Sequence, residues 1–410
     1  MNLVTINITN VRIGHPLPYT LRSADGTLLA QKGFVVESKE MLDEKIGNGV
    51  TVYVDVAESE AYRRAYVGKL YDMVLEDKAL GKIAGSEISK QDLDSDRVDI
   101  NEGPPDWLDL QVQANSLLRD TQSDQFVKRL DRFQKLLRNY AYRNPNGALF
   151  GLIYLSATEV HLYSATHAML VSVICGLAAR EVLGWSPEHE ETLSKAALTM
   201  NIGMTELQDR LAQQVEPPTP EQRKLIDEHT TRSVMMLEQL GVKDPLWLEA
   251  VRDHHNKSPG RLSSKTEGQR MARLIQRADM FSARLSPRAT RVPTSPAAAM
   301  QASYFDEDRQ IDEAGAALIK AVGIYSPGSF VRLATNEIAV VIHRGLNTTT
   351  PRVALLVNRD GMPSTGSVIR DTSQRDYRIV ASVPHREVKV KLNLEQFLTM
   401  TSVAASDRQW

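Results

Sequence analysis

Cysteine is nearly absent from the sequence, with Cys175 as the single example in 410 residues. One thiol excludes an intramolecular disulfide framework, and this usage is typical of a reducing compartment, so we expect a cytoplasmic protein. Cys175 stands in an apolar helical stretch, where a lone thiol behaves as a small core side chain. We predict that role for it rather than that of a nucleophile.

The sequence also lacks an excess of either charge and a long hydrophobic run. Its 49 basic and 51 acidic residues leave a net charge of −2 with no dense block of Lys or Arg, which excludes general attraction to nucleic acid or anionic membranes. The N-terminus has no basic region followed by an apolar run, and the longest near-apolar stretch, 168–179, is too short to cross a bilayer. We therefore expect no DNA partner and no membrane span.

Turn and helix signals divide the chain into several segments, as its length leads one to expect. We predict a small β-rich N-terminal module at 1–60, a helix and acidic linker at 61–107, a helical domain at 108–325 and a β-rich C-terminal extension at 326–410. The linker contains Gly103-Pro104-Pro105, which neither a helix nor a central strand tolerates. The predicted fold class is mainly α, with β-rich flanks. The predicted strands are 4–8, 19–22, 28–30, 50–54, 330–333, 338–343, 353–357 and 377–383.

Three helix starts in the helical domain have clear signals. Ser186 precedes Pro187 and several acids, Thr219 opens a capping-box sequence, and Asp244 precedes Pro245. Glycines at 184 and 241 stand where the preceding helices should end.

The main chemical signal is a set of histidines. Six of the nine fall in the predicted helical domain, and four of these, His167, His229, His254 and His255, are followed by Asp279. Imidazoles and a carboxylate brought together from separate helices form a typical transition-metal site. The alternative is that each histidine makes ordinary hydrogen bonds within the core or at the surface. Both interpretations stay open at this point.

The order of these residues resembles the HD-GYP branch of the HD-domain phosphohydrolases over roughly 140–325. Members of that family cleave cyclic di-GMP. By this resemblance His167 matches the early metal ligand, His229 the middle one, His254-His255 the paired motif and Asp279 the late acid. The helical domain is then expected to have an HD-type fold. Similar flanking modules occur in bacterial proteins, which implies a bacterial source.

The resemblance also implies a phosphate-binding role for two arginines. Arg288 and Arg291 match a basic motif that follows the late acid in the family and lies near the phosphate. Guanidinium groups suit such a role, because they bind phosphate oxygens with paired hydrogen bonds.

Two of the family signatures are altered in this sequence. Met200-Asn201-Ile202-Gly203-Met204 stands where the family has His-Asp-Ile-Gly-Lys, and Asn256 follows the histidine pair in place of an acid. The neutral Asn201 amide cannot bridge two cations as a carboxylate does, and the Met200 thioether is too soft for a hydroxide-bearing hard metal. We expect either no metal or a single transition metal, iron or manganese, and assign no catalytic residue.

Three functions are compatible with this pattern. The first is a non-catalytic signalling protein that binds cyclic di-GMP or a protein partner, with a homodimer as a further expected assembly. The second is a metal-dependent cyclic di-GMP phosphodiesterase with an atypical metal site. The third is a purely structural interaction protein that binds neither metal nor nucleotide and docks its partner on an exposed apolar patch.

Overall fold

The computed structural model describes residues 3–6, 20–23, 27–30, 34–35, 52–55, 105–121, 125–158, 162–257, 259–287, 294–364, 368–390 and 392–403. The chain forms two compact units, Met1–Arg132 and Phe133–Trp410. The boundary after Arg132 does not coincide with any of the predicted segment boundaries at 60, 107 and 325. Those three boundaries stay predictions. The predicted helix at 61–80 and most of the acidic linker lie outside the described residues.

The first unit contains a four-stranded antiparallel sheet of order β1-β4-β2-β3. Its strands are β1 (Leu3–Ile6), β2 (Leu21–Arg22), β3 (Leu28–Ala30) and β4 (Val52–Asp55). They agree with the predicted strands to within a few residues. Two helices follow, α1 (Trp107–Arg119) and α2 (Phe126–Arg143), and the boundary between the two units falls inside α2. Asp106 caps α1 by accepting hydrogen bonds from the amides of Leu108 and Asp109.

The second unit is built mainly from helices. They are α3 (Pro145–Thr158), α4 (Tyr163–Leu177), α5 (Pro187–Thr199), α6 (Thr205–Gln213), α7 (Pro220–Asp227), α8 (His229–Gln239), α9 (Pro245–Asp253), α10 (Glu267–Leu285), α11 (Pro296–Tyr304) and α12 (Glu313–Val322). Every residue of α4 is buried, and it packs against α3, α5 and α10. Because it is buried on all sides, α4 forms the centre of this unit.

The helix boundaries in this unit confirm the predicted start and stop signals. Ser186 and Asp244 accept hydrogen bonds from the first amides of α5 and α9, and Thr219 forms a complete capping box at α7. Gly184 and Gly241 have φ angles of 64° and 91°, the left-handed conformation in which glycine has no steric penalty.

A second antiparallel sheet follows the helices, with strand order β8-β7-β6-β5-β9. Its strands are β5 (Phe330–Leu333), β6 (Ile338–His343), β7 (Arg352–Val357), β8 (Ile369–Asp371) and β9 (Ile379–Val383). Val331, Leu333, Ala339, Val341 and Val353 form a buried cluster on this sheet. Strands on both flanks of a helical centre confirm the predicted fold class.

The chain then forms a helix that the sequence pattern did not predict, α13 (Leu394–Val403). Phe397 of α13 stacks on Phe150 of α3 with ring centroids 6.0 Å apart. The side chain of Asn144 donates to the Thr401 hydroxyl at 2.8 Å. These contacts come from residues distant in sequence, which is why local periodicity alone did not indicate the helix.

Within the part of the chain that the structure describes, one helical segment, Tyr163–Val182, is long and apolar enough by composition to cross a membrane, but 83% of its apolar window is buried within the fold. This segment is longer than the near-apolar stretch 168–179, from which a length too short for a bilayer is predicted. Burial of this extent is typical of a core helix. Cys175 lies in this helix with no exposed surface, which confirms its predicted core role, and burial raises the pKa of its thiol.

Candidate metal centre

Three of the five predicted donors meet at one point. His229 is the first residue of α8, and His254 and His255 directly follow the last residue of α9. One ligand nitrogen from each of the three lies within 4.8 Å of the others, and we call these residues the imidazole triad. His229 and His254 are buried, whereas His255 is exposed. Contact between α8 and α9 thus creates a group of nitrogen donors that is open to solvent on one side.

Backbone carbonyls orient the two buried rings of the triad. Nδ1 of His229 bonds the Ile226 carbonyl, and Nδ1 of His254 bonds the Val251 carbonyl at 2.7 Å. A carbonyl only accepts, so each Nδ1 carries the proton and each neutral ring keeps its lone pair on Nε2. The two Nε2 atoms face each other at 3.4 Å.

Burial keeps these two rings neutral. It is the main cause that lowers the pKa of His254 to about 3, and the neighbouring His255 lowers it further. Burial also lowers the pKa of His229, against a smaller opposing effect of its hydrogen bond to Ile226. Neutral imidazole is the form that binds metals, because the lone pair is available.

The other two predicted donors bind each other. His167 on α4 and Asp279 on α10 form a hydrogen bond between Nε2 and Oδ1 at 2.8 Å. The Ser282 hydroxyl bonds Nδ1 of His167 at 2.9 Å, so both ring nitrogens are engaged. Burial raises the pKa of Asp279, but the hydrogen bond from His167 and the nearby imidazoles outweigh it, and the net pKa is lowered. Asp279 is therefore an anion, and its charge partly opposes the lowering of the pKa values of His229 and His254.

The altered signature, residues 200–204, lies beside the start of α8. Met200 is fully buried, Asn201 is 9% exposed, and Met204 is partly buried. Gly203 donates its amide to the Ser233 hydroxyl at 3.0 Å, and a Cβ at Gly203 would lie 2.7 Å from the Ser233 nitrogen. Only glycine allows this approach. Among the described residues no hydrogen-bond partner reaches the buried Oδ1 of Asn201, which leaves a polar atom free next to the turn.

Asn256 closes the turn that follows the triad. Its backbone and side-chain nitrogens bond Asp253 at 2.8 and 3.0 Å. Its carbonyl accepts a hydrogen bond from Gln276 of α10 at 3.2 Å. Gln276 in turn accepts from the buried guanidinium of Arg273. Asn256 thus has a structural role in this turn, which connects the triad to α10.

Sequence reasoning did not identify the buried charge network behind this turn. Arg273 contacts Asp312 at 2.6 Å and Glu307 at 2.9 Å, and Arg277 contacts the same two acids at 3.3 and 3.0 Å. Sequence spacing could have suggested that the arginines share a face, since they are four residues apart on α10. The same reasoning applies to Ser282, three residues after Asp279. No local sequence feature indicated that Asp312 would contact Arg273 and Arg277.

The remaining predicted site residues are the two arginines proposed for phosphate binding. Arg288 and Arg291 lie outside the described residues. Their role stays a prediction.

The comparisons agree with this arrangement at the level of the family. The model of the HD domain family matches residues 155–314, a range that contains the triad and the His167–Asp279 pair. Residues 155–314 therefore form an HD domain.

Among solved structures, the chain is similar to Bd1817, a HDG"Y"P protein from Bdellovibrio bacteriovorus. The two share 15% sequence identity, the match covers 77% of this chain and 98% of that one, and the TM-score is 0.47. Similarity at this level is not informative about ligand or activity. Comparison with curated proteins gave no match.

Proposed function

We propose that this protein is a non-catalytic signalling protein, in which an HD-type domain binds cyclic di-GMP or a protein partner without hydrolysing the nucleotide. The observation that supports this is the loss of a bridging carboxylate. Asn201 stands at the signature position, and the one predicted acid, Asp279, is hydrogen-bonded to His167. Hydrolysis of a phosphodiester by two metals needs ions on both the attacking and the leaving oxygen. The triad offers donors for one ion.

A metal-dependent cyclic di-GMP phosphodiesterase with an atypical metal site is the second candidate. The triad itself favours it, because buried neutral imidazoles with converging nitrogens form a ready cation site. A single ion can still activate a water molecule as a nucleophile.

The test is cyclic di-GMP turnover by anaerobically purified full-length protein supplied with iron or manganese, with bound nucleotide quantified in the same samples. We expect binding without turnover. Turnover that disappears in His255→Ala and survives in His189→Ala would make the protein an enzyme. His189 is a suitable control, since it is only partly buried and lies outside the triad. If the samples show no binding and no turnover, the remaining function is that of a protein-interaction scaffold.

A second experiment tests the predicted phosphate contacts. Replacing Arg288 and Arg291 together by alanine should abolish nucleotide binding, because paired guanidinium hydrogen bonds would be lost. Unchanged affinity would remove both residues from the nucleotide site.

A further inference from the structure

We infer that a cavity between α2, α4 and α5 binds a small neutral molecule through an amide group. All of its lining residues belong to the second unit, and none of them is part of the imidazole triad or of the His167–Asp279 pair. The inference therefore goes beyond the proposed function and does not rest on it. It follows from the hydrogen-bonding atoms that the fold leaves without partners in this cavity.

The cavity is open to solvent and has partly apolar walls. Its volume, including the open part, is about 270 Å³, but the space left between the protein atoms admits only about one water-sized group. Leu137, Val173 and Leu177 line it with apolar surface. A ligand therefore inserts a compact head group and leaves its remaining atoms at the mouth of the cavity.

A buried amide without partners lines this cavity. Gln134 of α2 is 1% exposed, and neither its Nε2 nor its Oε1 has a hydrogen-bond partner among the described residues. Native proteins rarely leave buried polar atoms unpaired, because the lost contacts with water are then not replaced. Gln134 thus offers one free donor and one free acceptor, side by side, to a group that enters the cavity.

Glu190 and Ser194 of α5 add polar atoms at a point where Gly176 of α4 leaves room. Both side chains are buried, and Glu190 Oε1 and the Ser194 hydroxyl oxygen each lie 3.4 Å from the position that a Cβ of Gly176 would occupy. The other carboxylate oxygen of Glu190 accepts a hydrogen bond from the Tyr142 hydroxyl at 2.5 Å. Burial and this hydrogen bond raise the pKa of Tyr142 to about 12, so the hydroxyl keeps its proton. Glu190 Oε1 is therefore the oxygen that can accept from a ligand.

Two arginines line the more exposed part of the cavity. Cζ of Arg180 lies 3.8 Å from the centroid of the Tyr142 ring, and Cζ of Arg138 lies 5.8 Å from the same centroid. Each arginine also pairs with an acid, Arg138 with Glu191 at 3.4 Å and Arg180 with Glu181 at 3.1 Å. The positive charges at the mouth are therefore balanced without a ligand anion.

These groups select a neutral amide as the ligand. An amide presents its carbonyl oxygen to Nε2 of Gln134, and its N–H groups to Oε1 of Gln134 and to Glu190. A carboxylate would satisfy only Nε2 of Gln134 and would be repelled by the charge of Glu190. An ammonium group has no acceptor and would leave Nε2 unpaired. A site built from hydrogen-bonding groups rejects analogues that leave one of them unpaired.

The test is calorimetric titration of the full-length protein with benzamide, benzoate and benzylamine, which share a phenyl ring and differ in the head group. We expect saturable binding of benzamide at one site. Benzoate and benzylamine should bind at least roughly tenfold more weakly, because each leaves a buried polar atom unpaired. Gly176→Ala should weaken benzamide binding at least roughly tenfold, because its methyl group occupies the cavity, while its contacts at 3.4 Å are compatible with the fold.

A second variant separates binding from a structural role of the amide. Gln134→Met should abolish benzamide binding and raise the midpoint of thermal unfolding of the ligand-free protein, because an apolar side chain of similar size replaces an unpaired buried amide. Asn139→Leu is the matched control. Asn139 lies on the same helix, and its buried Nδ2 also lacks a partner among the described residues, but it does not line the cavity. Its replacement should leave the benzamide affinity unchanged.

Four results would overturn the inference. Three of them concern affinity: no saturable binding of benzamide, binding of benzoate as tight as that of benzamide, and an unchanged benzamide affinity in Gly176→Ala. The fourth is a lower midpoint of thermal unfolding in Gln134→Met than in the wild type, because the amide would then have a partner within the fold.

Discussion

Replacing Asp312 should strongly destabilise the second unit, because this side chain balances two buried positive charges. Asp312 is 4% exposed, and its Oδ2 bonds Arg273 at 2.6 and 2.8 Å and contacts Arg277 at 3.3 Å. Its Oδ1 accepts the Gly315 amide at 2.9 Å and so caps α12. Asp312 therefore contributes both a charge and a helix cap.

The two contributions can be separated by substitution. Removing one partner of a buried ion pair costs about 3 to 5 kcal/mol, because an uncompensated charge stays in the interior. Losing the cap costs about 1 kcal/mol more. Asp312→Asn keeps an oxygen for the cap and should lower the free energy of unfolding by about 3 to 5 kcal/mol. Asp312→Ala should lower it by about 4 to 6 kcal/mol.

The measurement is equilibrium urea unfolding of the full chain, followed by circular dichroism. Asp308→Ala is the matched control, since Asp308 is exposed in the same loop and its loss should change stability by no more than about 0.5 kcal/mol. If Asp312→Ala were as stable as Asp308→Ala, Glu307 alone would suffice to balance the charges of Arg273 and Arg277. The argument from the buried charges of Arg273 and Arg277 would then be wrong.

Three further predictions concern pH, the altered signature and the turn beside α8. Burial lowers the pKa of His385 from 6.5 to about 4, so below pH 6.5 the unfolded chain binds a proton that the folded chain does not. The contribution of His385 to the free energy of unfolding should be complete above about pH 6.5 and should fall by up to about 3 kcal/mol as the pH drops towards 4. Urea unfolding at several pH values measures it, and the difference from His385→Gln should show this pH dependence, because the variant cannot bind the proton. Asn201→Asp should make the triad bind Mn²⁺ at least roughly tenfold more tightly, because a carboxylate suits hard cations. Calorimetric titration measures this affinity, and an unchanged value would place residue 201 away from the site. Gly203→Ala should destabilise the fold by about 1 to 3 kcal/mol and weaken Co²⁺ binding, because its Cβ would lie 2.7 Å from the Ser233 nitrogen. The control is Gly176→Ala, whose nearest contacts are 3.4 Å, and equal effects of the two substitutions on Co²⁺ affinity would contradict the reasoning.

The candidate metal centre could be predicted only in part from the sequence. The family resemblance identified the histidines, and the structure brings three of them together, but the spacing along the chain did not show how the five donors would divide. His167 and Asp279 are far apart in sequence, and their hydrogen bond depends on how α4 packs against α10. The facing lone pairs of His229 and His254 depend in the same way on the contact of α8 with α9.

Local features were determined by the sequence itself. Ser186, Thr219 and Asp244 cap helices through hydrogen bonds to amides two or three residues away, so the necessary partners are always within reach. Periodicity likewise predicted the change from strands to helices and back, because burial of one face imposes the pattern. Tertiary structure alone decided the network around Asp312, the docking of α13 and the convergence of the triad nitrogens. Each of these joins residues from separate elements, and their distances depend on packing between elements rather than on spacing along one of them.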